Sequence, residues 1–149
     1  MHSRLFGTSI LALTLASILN VACTKSDNRG TTGTTGTGAG VRVSQIDIGR
    51  SLAADKTISG STTSFKPNDT IYASVATEGT AAAPSTLQAR WTYQDGQVVD
   101  EATQRIAPAG NARTEFHISK PDGWPAGKYK LEVLLNGASA GTRDIEVER

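Results

Sequence analysis

The chain has 149 residues, with 15 lysine and arginine side chains against 14 aspartate and glutamate side chains. Nucleic-acid binding needs a clustered basic face, so this balance, with charges interspersed as in KYKLEV, argues against nucleic acid as a partner. The single cysteine and two histidines cannot build a zinc cluster, and no GxSxG, HExxH or Walker-type motif is present. We therefore expect no enzyme activity, no metal and no cofactor.

Residues 1–22 have the features of a secretory signal peptide. They carry one lysine or arginine, Arg4, no acidic residue, and an apolar stretch from Leu5 to Leu19. That stretch is too short, and too quickly followed by polar sequence, for a membrane-spanning helix. We predict that this segment directs export and is then removed.

The only cysteine, Cys23, closes the segment LNVAC, which resembles the lipobox of bacterial lipoproteins. Ala22 and Val21 fit that pattern, whereas Asn20 stands where an aliphatic residue is usual. The resemblance implies a lipid on Cys23 and a location in the bacterial cell envelope, and Thr24 in place of aspartate favours the outer membrane. Ordinary secretory cleavage near NVA is the alternative, but it would leave a lone thiol in an oxidising compartment.

Residues 23–40 therefore comprise the lipidated cysteine and a disordered threonine- and glycine-rich linker. Residues 24–40 contain no large apolar side chain, so they cannot bury enough surface to offset the entropy of ordering. A flexible chain of this length averages about 20 to 25 Å from end to end, with a stretched limit near about 60 Å. The linker lets the following domain stand off the membrane.

Residues 41–149 read as a single all-β domain, because short runs with period-two alternation are separated by turn residues. We predict seven strands and a sandwich. The predicted strands cover 41–48, 69–77, 85–93, 97–106, 112–119, 127–136 and 138–149.

Two dipeptides predict tight hairpin turns, Asp95-Gly96 and Asn136-Gly137. With a two-residue turn at Asn136-Gly137, an unbroken ladder would point Ile145 and Val147 away from the face that holds Tyr129. A one-residue slip reverses every side chain, so the register must be corrected between them. We predict a β-bulge near Gly141.

The domain also resembles an immunoglobulin-like antiparallel β-sandwich. Trp91 falls in mid-strand, and PAGKYKLEV is similar to the corner and strand that read Asp-x-Gly/Ala-x-Tyr-x-Cys in such folds. Gly127 and Tyr129 match, while Pro125 replaces the acid and Leu131 replaces the cysteine, so no disulfide crosses this core. The resemblance implies that Trp91 plugs the core and that the Tyr129 hydroxyl reaches the backbone.

The one loop with a large apolar residue among turn formers is KPDGWPAGKY, residues 120–129. Trp124 is the candidate binding residue, because an exposed indole can stack on a sugar ring or anchor a partner. The alternative is that Trp124 folds over the open end of the sandwich, held by Pro121 and Pro125.

The remaining polar residues do not combine into a predicted catalytic or metal site. His117 lies in an alternating strand and is expected to face solvent. Asp122 and the acids of DGQVVDE lack the dense Asp-x-Asp-x-Asp spacing of a calcium loop. Asp100 and Glu101 alternate sides of a strand, so they cannot flank one bond together.

Three functions fit these features. The first is a non-enzymatic, membrane-anchored envelope lipoprotein whose sandwich is a protein-binding or accessory module. The second is a glycan- or peptidoglycan-binding module that uses loop aromatics such as Trp124, with Tyr72 or Tyr93 as further candidates. The third is a hydrolase acting through two carboxylates. The expected partners are thus the membrane, through the lipid, and an envelope protein or glycan.

Overall fold

The computed structural model describes residues 40–149, which fold into two packed β-sheets. The predicted signal peptide, Cys23 and all but the last residue of the predicted linker lie outside this range. Within it, no helix is long and apolar enough to cross a membrane. The strands are β1 (Arg42–Leu52), β2 (Ile58–Ser61), β3 (Ser64–Phe65), β4 (Ile71–Glu78), β5 (Ser85–Tyr93), β6 (Gln97–Ile106), β7 (Ala112–Ile118), β8 (Gly127–Leu135) and β9 (Ala138–Val147).

The first sheet has the order β2-β1-β4-β7 and the second has the order β3-β9-β8-β5-β6. All pairs are antiparallel except β3 with β9, which is parallel. The all-β sandwich expected from the sequence is confirmed. The seven predicted strands are all present, and β2 and β3 are two further short strands for which the sequence shows no apolar alternation.

The core lies between the sheets and follows the alternation of the sequence. Every second residue of β4, β5 and β8 points inward, as expected for half-buried strands. The fully buried side chains include Ile71, Val75, Leu87, Trp91, Leu131 and Val133. Phe65 on β3 is also fully buried, so the short parallel strand closes one side of the core.

The predicted bulge near Gly141 is confirmed. Leu135 pairs with Ala138 across a two-residue turn, in which Asn136 and Gly137 both have positive φ. The register then shifts, so that Val133 pairs with Gly141 and one residue of β9 is left over. This shift turns the last apolar residues of β9 into the core.

Gly141 lies where β9 approaches β1. A Cβ atom at this position would lie 2.8 Å from Cδ1 of Ile46. Close by, the Arg143 Nε donates a hydrogen bond of 2.9 Å to the carbonyl oxygen of Ile46, which ties the two sheets together along this side.

The sandwich has two ends that differ in what they carry. At the proximal end, where the chain enters β1, Arg42 pairs with Glu78. At the distal end, Ile71 pairs with Ile118, and the loops 94–96 and 119–126 lie there. The predicted Asp95-Gly96 turn is a three-residue loop, because Tyr93 pairs with Gln97 across it.

Candidate functional site

Trp124 lies inside the distal end of the sandwich, with only 7% of its surface exposed. Its indole Nε1 donates a 3.0 Å hydrogen bond to the carbonyl oxygen of Asp69, and its backbone N–H donates one of 2.7 Å to that of Pro67. Two anchored N–H groups fix the loop 119–126 against the β3–β4 connection. This position leaves the indole face unavailable for stacking on a sugar ring.

Trp124 belongs to a cluster of three aromatic rings. Its ring packs edge-on against the ring of Tyr129, with the ring centroids 5.9 Å apart. The ring centroids of Tyr93 and Tyr129 are 4.8 Å apart. The Tyr129 hydroxyl donates a 2.8 Å hydrogen bond to the carbonyl oxygen of Pro125, as the resemblance to immunoglobulin-like folds implied. Burial raises the pKa of Tyr129, so its hydroxyl stays a neutral donor at physiological pH.

This cluster forms the floor of a groove of about 630 Å³, which we call the distal groove. One wall is residues 97–100 of β6, and the other is residues 118–121 at the end of β7. The floor is provided by Tyr93, Trp124 and Tyr129. The groove therefore opens between the edge strands of the two sheets.

Val98 and Val99 stand out on the wall formed by β6. They are 51% and 39% exposed, and no other large hydrophobic residue of 40–149 is classed as exposed. β6 is the edge strand of its sheet and is exposed along most of its length. It also contains a bulge, since Trp91 pairs with Asp100 and Thr92 with Val98, which leaves Val99 as an extra residue. The two valines therefore form an apolar patch on an edge strand.

Neither valine is among the site residues predicted from the sequence. A signal was present, because two consecutive valines cannot both point inward from a regular strand. The rest of QVVDEATQRI is mostly polar, which indicates an edge strand with little to bury. Together, these two features mark Val98 and Val99 as surface residues.

The distal groove carries one charge of each sign. Asp100 lies on the β6 wall and Lys120 on the opposite wall, and both are exposed. Within residues 40–149, neither takes part in an ion pair. Their charges are therefore free to act on a binding partner.

The other polar residues that the sequence offers as candidates do not converge on a site. His117 is exposed beside Tyr72, with its ring 3.2 Å from the Glu115 carboxylate. Glu101 pairs with Arg90 on the outer face of the second sheet. In the described range, no group of three or more histidine, cysteine, aspartate or glutamate residues could hold a metal ion.

Asp69 helps to stabilise the distal end through its side chain and its backbone. Its carboxylate accepts a 2.8 Å hydrogen bond from the backbone N–H of Lys66 and another of 2.8 Å from Nε of Arg50. The Lys66 N–H, followed by the Arg50 guanidinium, holds the pKa of Asp69 below its usual value of 3.8. The backbone carbonyl oxygen of Asp69 accepts the hydrogen bond from the indole of Trp124. The contacts of the Asp69 carboxylate therefore also help to fix the position of the loop 119–126.

We expect Asp69→Asn to destabilise the protein at neutral pH. The carboxyl has a lower pKa in the folded state than in the unfolded state, so its stabilisation is present above 3.8 and is lost as the pH falls through the folded value. The difference from the wild type in denaturant midpoint should therefore shrink on acidification. Asp144→Asn, an exposed carboxylate with no side-chain hydrogen bond in the described range, is the control. A decrease in the denaturant midpoint of Asp69→Asn that is the same at every pH would contradict the prediction.

Comparisons with known proteins bear on the fold. No family model and no curated protein sequence matches the chain. An immunoglobulin-like protein from Pseudomonas aeruginosa matches in structure with a TM-score of 0.52 and 17% identity, over 76% of this chain and 100% of that one. This likeness supports the fold and does not extend to function.

Parts of two larger proteins are also similar. A DNA glycosylase of Pseudomonas fluorescens matches with a TM-score of 0.49 and 19% identity over 75% of this chain. A β-glucosidase from Listeria innocua matches with a TM-score of 0.47 and 12% identity over 73% of this chain. The matches span 31% and 16% of those two chains, and neither bears on activity. Topology and comparison together give this chain an immunoglobulin-like β-sandwich fold.

Proposed function

We propose that this chain is a non-enzymatic, lipid-anchored envelope protein whose sandwich binds another protein through the distal groove. The observation that carries the proposal is the exposed pair Val98 and Val99, on a sheet edge beside an aromatic floor. Exposed apolar residues grouped on a rigid surface are typical of protein interaction sites.

The chemistry of the groove favours binding over hydrolysis. Hydrolysis by carboxylates uses two acids that flank the scissile bond. Asp100 is the only carboxylate among the residues that line the distal groove. The buried position of Trp124 likewise removes the residue on which the glycan-binding alternative rested.

The proposed anchor is Cys23, through the lipobox-like LNVAC segment. Stable anchoring needs two or three acyl chains, which a diacylated and amino-acylated cysteine supplies. The chain enters the sandwich at Val41, and the distal groove lies at the opposite end. In this arrangement the linker holds the proximal end and the groove faces away from the attachment point.

Photo-cross-linking in intact cells tests the binding surface. A photoreactive residue placed at Val99 of the full chain should give one adduct of defined mass, because Val99 lies in the proposed contact. The same residue at Ser139, which is exposed near the proximal end, is the matched control. An identical adduct from both positions, or none from Val99, would contradict the proposal.

The anchor is tested separately with Cys23→Ser. The wild type should partition with the membrane fraction and incorporate labelled palmitate, whereas the variant should do neither. Membrane association that survives the substitution would refute the lipid anchor and leave the groove proposal standing.

A further inference from the structure

We infer that Asn136 is a site of spontaneous covalent modification, at which the side-chain amide is converted to a carboxylate when the turn between β8 and β9 detaches from β5. The inference is independent of the proposed binding function. It follows from the chemistry of the Asn136-Gly137 pair, from the hydrogen bonds that hold the Asn136 side chain, and from the geometry of the two-residue turn.

The chemistry depends on the residue that follows the asparagine. Asn136-Gly137 is the only asparagine-glycine pair of the chain, and both residues are exposed. The main-chain nitrogen of Gly137 can attack Cγ of Asn136 to form a cyclic succinimide. In that step the Cγ–Nδ2 bond breaks, and ammonia leaves with the proton of the attacking nitrogen. Water then opens the ring at either carbonyl group, which gives aspartate or isoaspartate.

Hydrogen bonds to β5 hold the Asn136 side chain. The backbone N–H of Asn136 donates a 2.8 Å hydrogen bond to the carbonyl oxygen of Thr86, and its Oδ1 accepts one of 2.8 Å from the backbone N–H of Thr86. Nδ2 donates a further one of 3.4 Å to Oγ of Ser85. The side-chain amide thus extends the β5–β8 ladder beyond its last pair, Leu87 with Leu135.

Ring closure needs a different arrangement of these groups. Cγ of Asn136 must approach the nitrogen of Gly137, so both the side chain and the main chain between the two residues have to rotate. The side chain is held by β5, and the main chain is fixed by the pairing of Leu135 with Ala138 across the turn, with φ of 52° and 81° at its two residues. We therefore expect the reaction to proceed through local opening of this end of the ladder.

The two products differ in how well they fit the turn. Aspartate keeps a side-chain oxygen for the Thr86 N–H and, like asparagine, tolerates a positive φ. Isoaspartate adds a methylene group to the main chain, which makes the connection longer than the turn that places Leu135 opposite Ala138. Because this turn fixes the register of β9 up to the bulge near Gly141, isoaspartate should loosen the hairpin.

Timed incubation at mildly alkaline pH, followed by peptide mapping with mass spectrometry, tests the inference. In the full chain kept folded in detergent, Asn136 should convert at least about tenfold more slowly than in the same chain in denaturant, because its hydrogen bonds must open first. In denaturant, Gly137→Ala is the control for the chemistry. It should suppress the conversion, since its methyl group crowds the attacking nitrogen.

Hydrogen exchange gives an independent measure of the same opening. The amide proton of Asn136 donates to Thr86, so it becomes accessible to solvent when the turn detaches from β5. Its exchange in the folded chain should be slowed by a factor similar to that for the conversion of the side chain.

Three results would overturn the inference. Equal conversion rates in the folded and the denatured chain would show that the hydrogen bonds to β5 do not control the reaction. An amide proton of Asn136 that exchanges freely, while the folded chain resists conversion, would assign the protection to another feature. The absence of conversion in denaturant would remove the site itself. None of these results affects the proposed binding function, which is tested by the cross-link from Val99.

Discussion

Replacing Trp91 with alanine is expected to destabilise the protein by about 3 to 5 kcal/mol, the usual cost of truncating a buried tryptophan. Trp91 is fully buried in the middle of β5, opposite Leu131 of β8. A sandwich with few aromatic residues has no comparable side chain to fill the cavity. Because small domains have a total stability of about 5 to 15 kcal/mol, the variant should be close to unfolding. The denaturant midpoint of the full chain measures the effect.

Trp91→Phe is the matched control for this prediction. The indole Nε1 of Trp91 has no hydrogen-bond partner within residues 40–149, so phenylalanine gives up packing volume without breaking a hydrogen bond there. The free energy of unfolding should therefore fall clearly less for Trp91→Phe than for Trp91→Ala. Equal losses for the two variants would show that packing volume is not what Trp91 contributes.

Replacing Gly127 with alanine is the second substitution with a large expected effect, a decrease of about 2 to 6 kcal/mol in the free energy of unfolding. Gly127 has a φ of +146°, where a side chain is strained, and an added Cβ would lie 2.9 Å from Cε2 of the Tyr93 ring. The hydrogen bond from the Tyr93 hydroxyl to Ala126 opposes any movement of that ring. The denaturant midpoint should fall, and the near-ultraviolet signal of the aromatic cluster should change.

Gly110→Ala separates the two causes. Gly110 has a φ of +122°, but nothing lies within 4 Å of an added Cβ, so only the backbone strain of about 1 to 3 kcal/mol applies. If Gly127→Ala were no worse than Gly110→Ala, the contact with Tyr93 would contribute nothing.

Most of the fold could be predicted because its determinants are local or periodic. The alternation of apolar and polar residues predicts that Leu87 and Leu131 lie in the core. The strand register fixed by the Asn136-Gly137 turn predicts the bulge near Gly141. The corner role of Tyr129 came from a short motif that keeps its spacing. Each of these depends on neighbours along one strand or one hairpin.

The distal groove could not be predicted in the same way, because it depends on contacts between distant segments. Whether Trp124 is buried is decided by the carbonyl oxygen of Asp69, 55 residues away. The bulge that leaves Val99 as an extra residue between Val98 and Asp100 is not specified by the composition of β6. The short strand β3 forms only because β9 lies beside it, and no pattern within Ser64–Phe65 indicates that pairing.

The distal groove and the point where the chain enters β1 lie at opposite ends of the sandwich, and this has a mechanical consequence. An anchor attached before Val41 and a partner held in the distal groove would pull along the strands. The β1–β4 ladder runs from Arg42 to Gly49, and its hydrogen bonds lie perpendicular to that pull. Tension would therefore shear the whole ladder at once instead of opening it bond by bond. If the proposed anchor and partner are both engaged, the domain would transmit force between them without unravelling from its first strand.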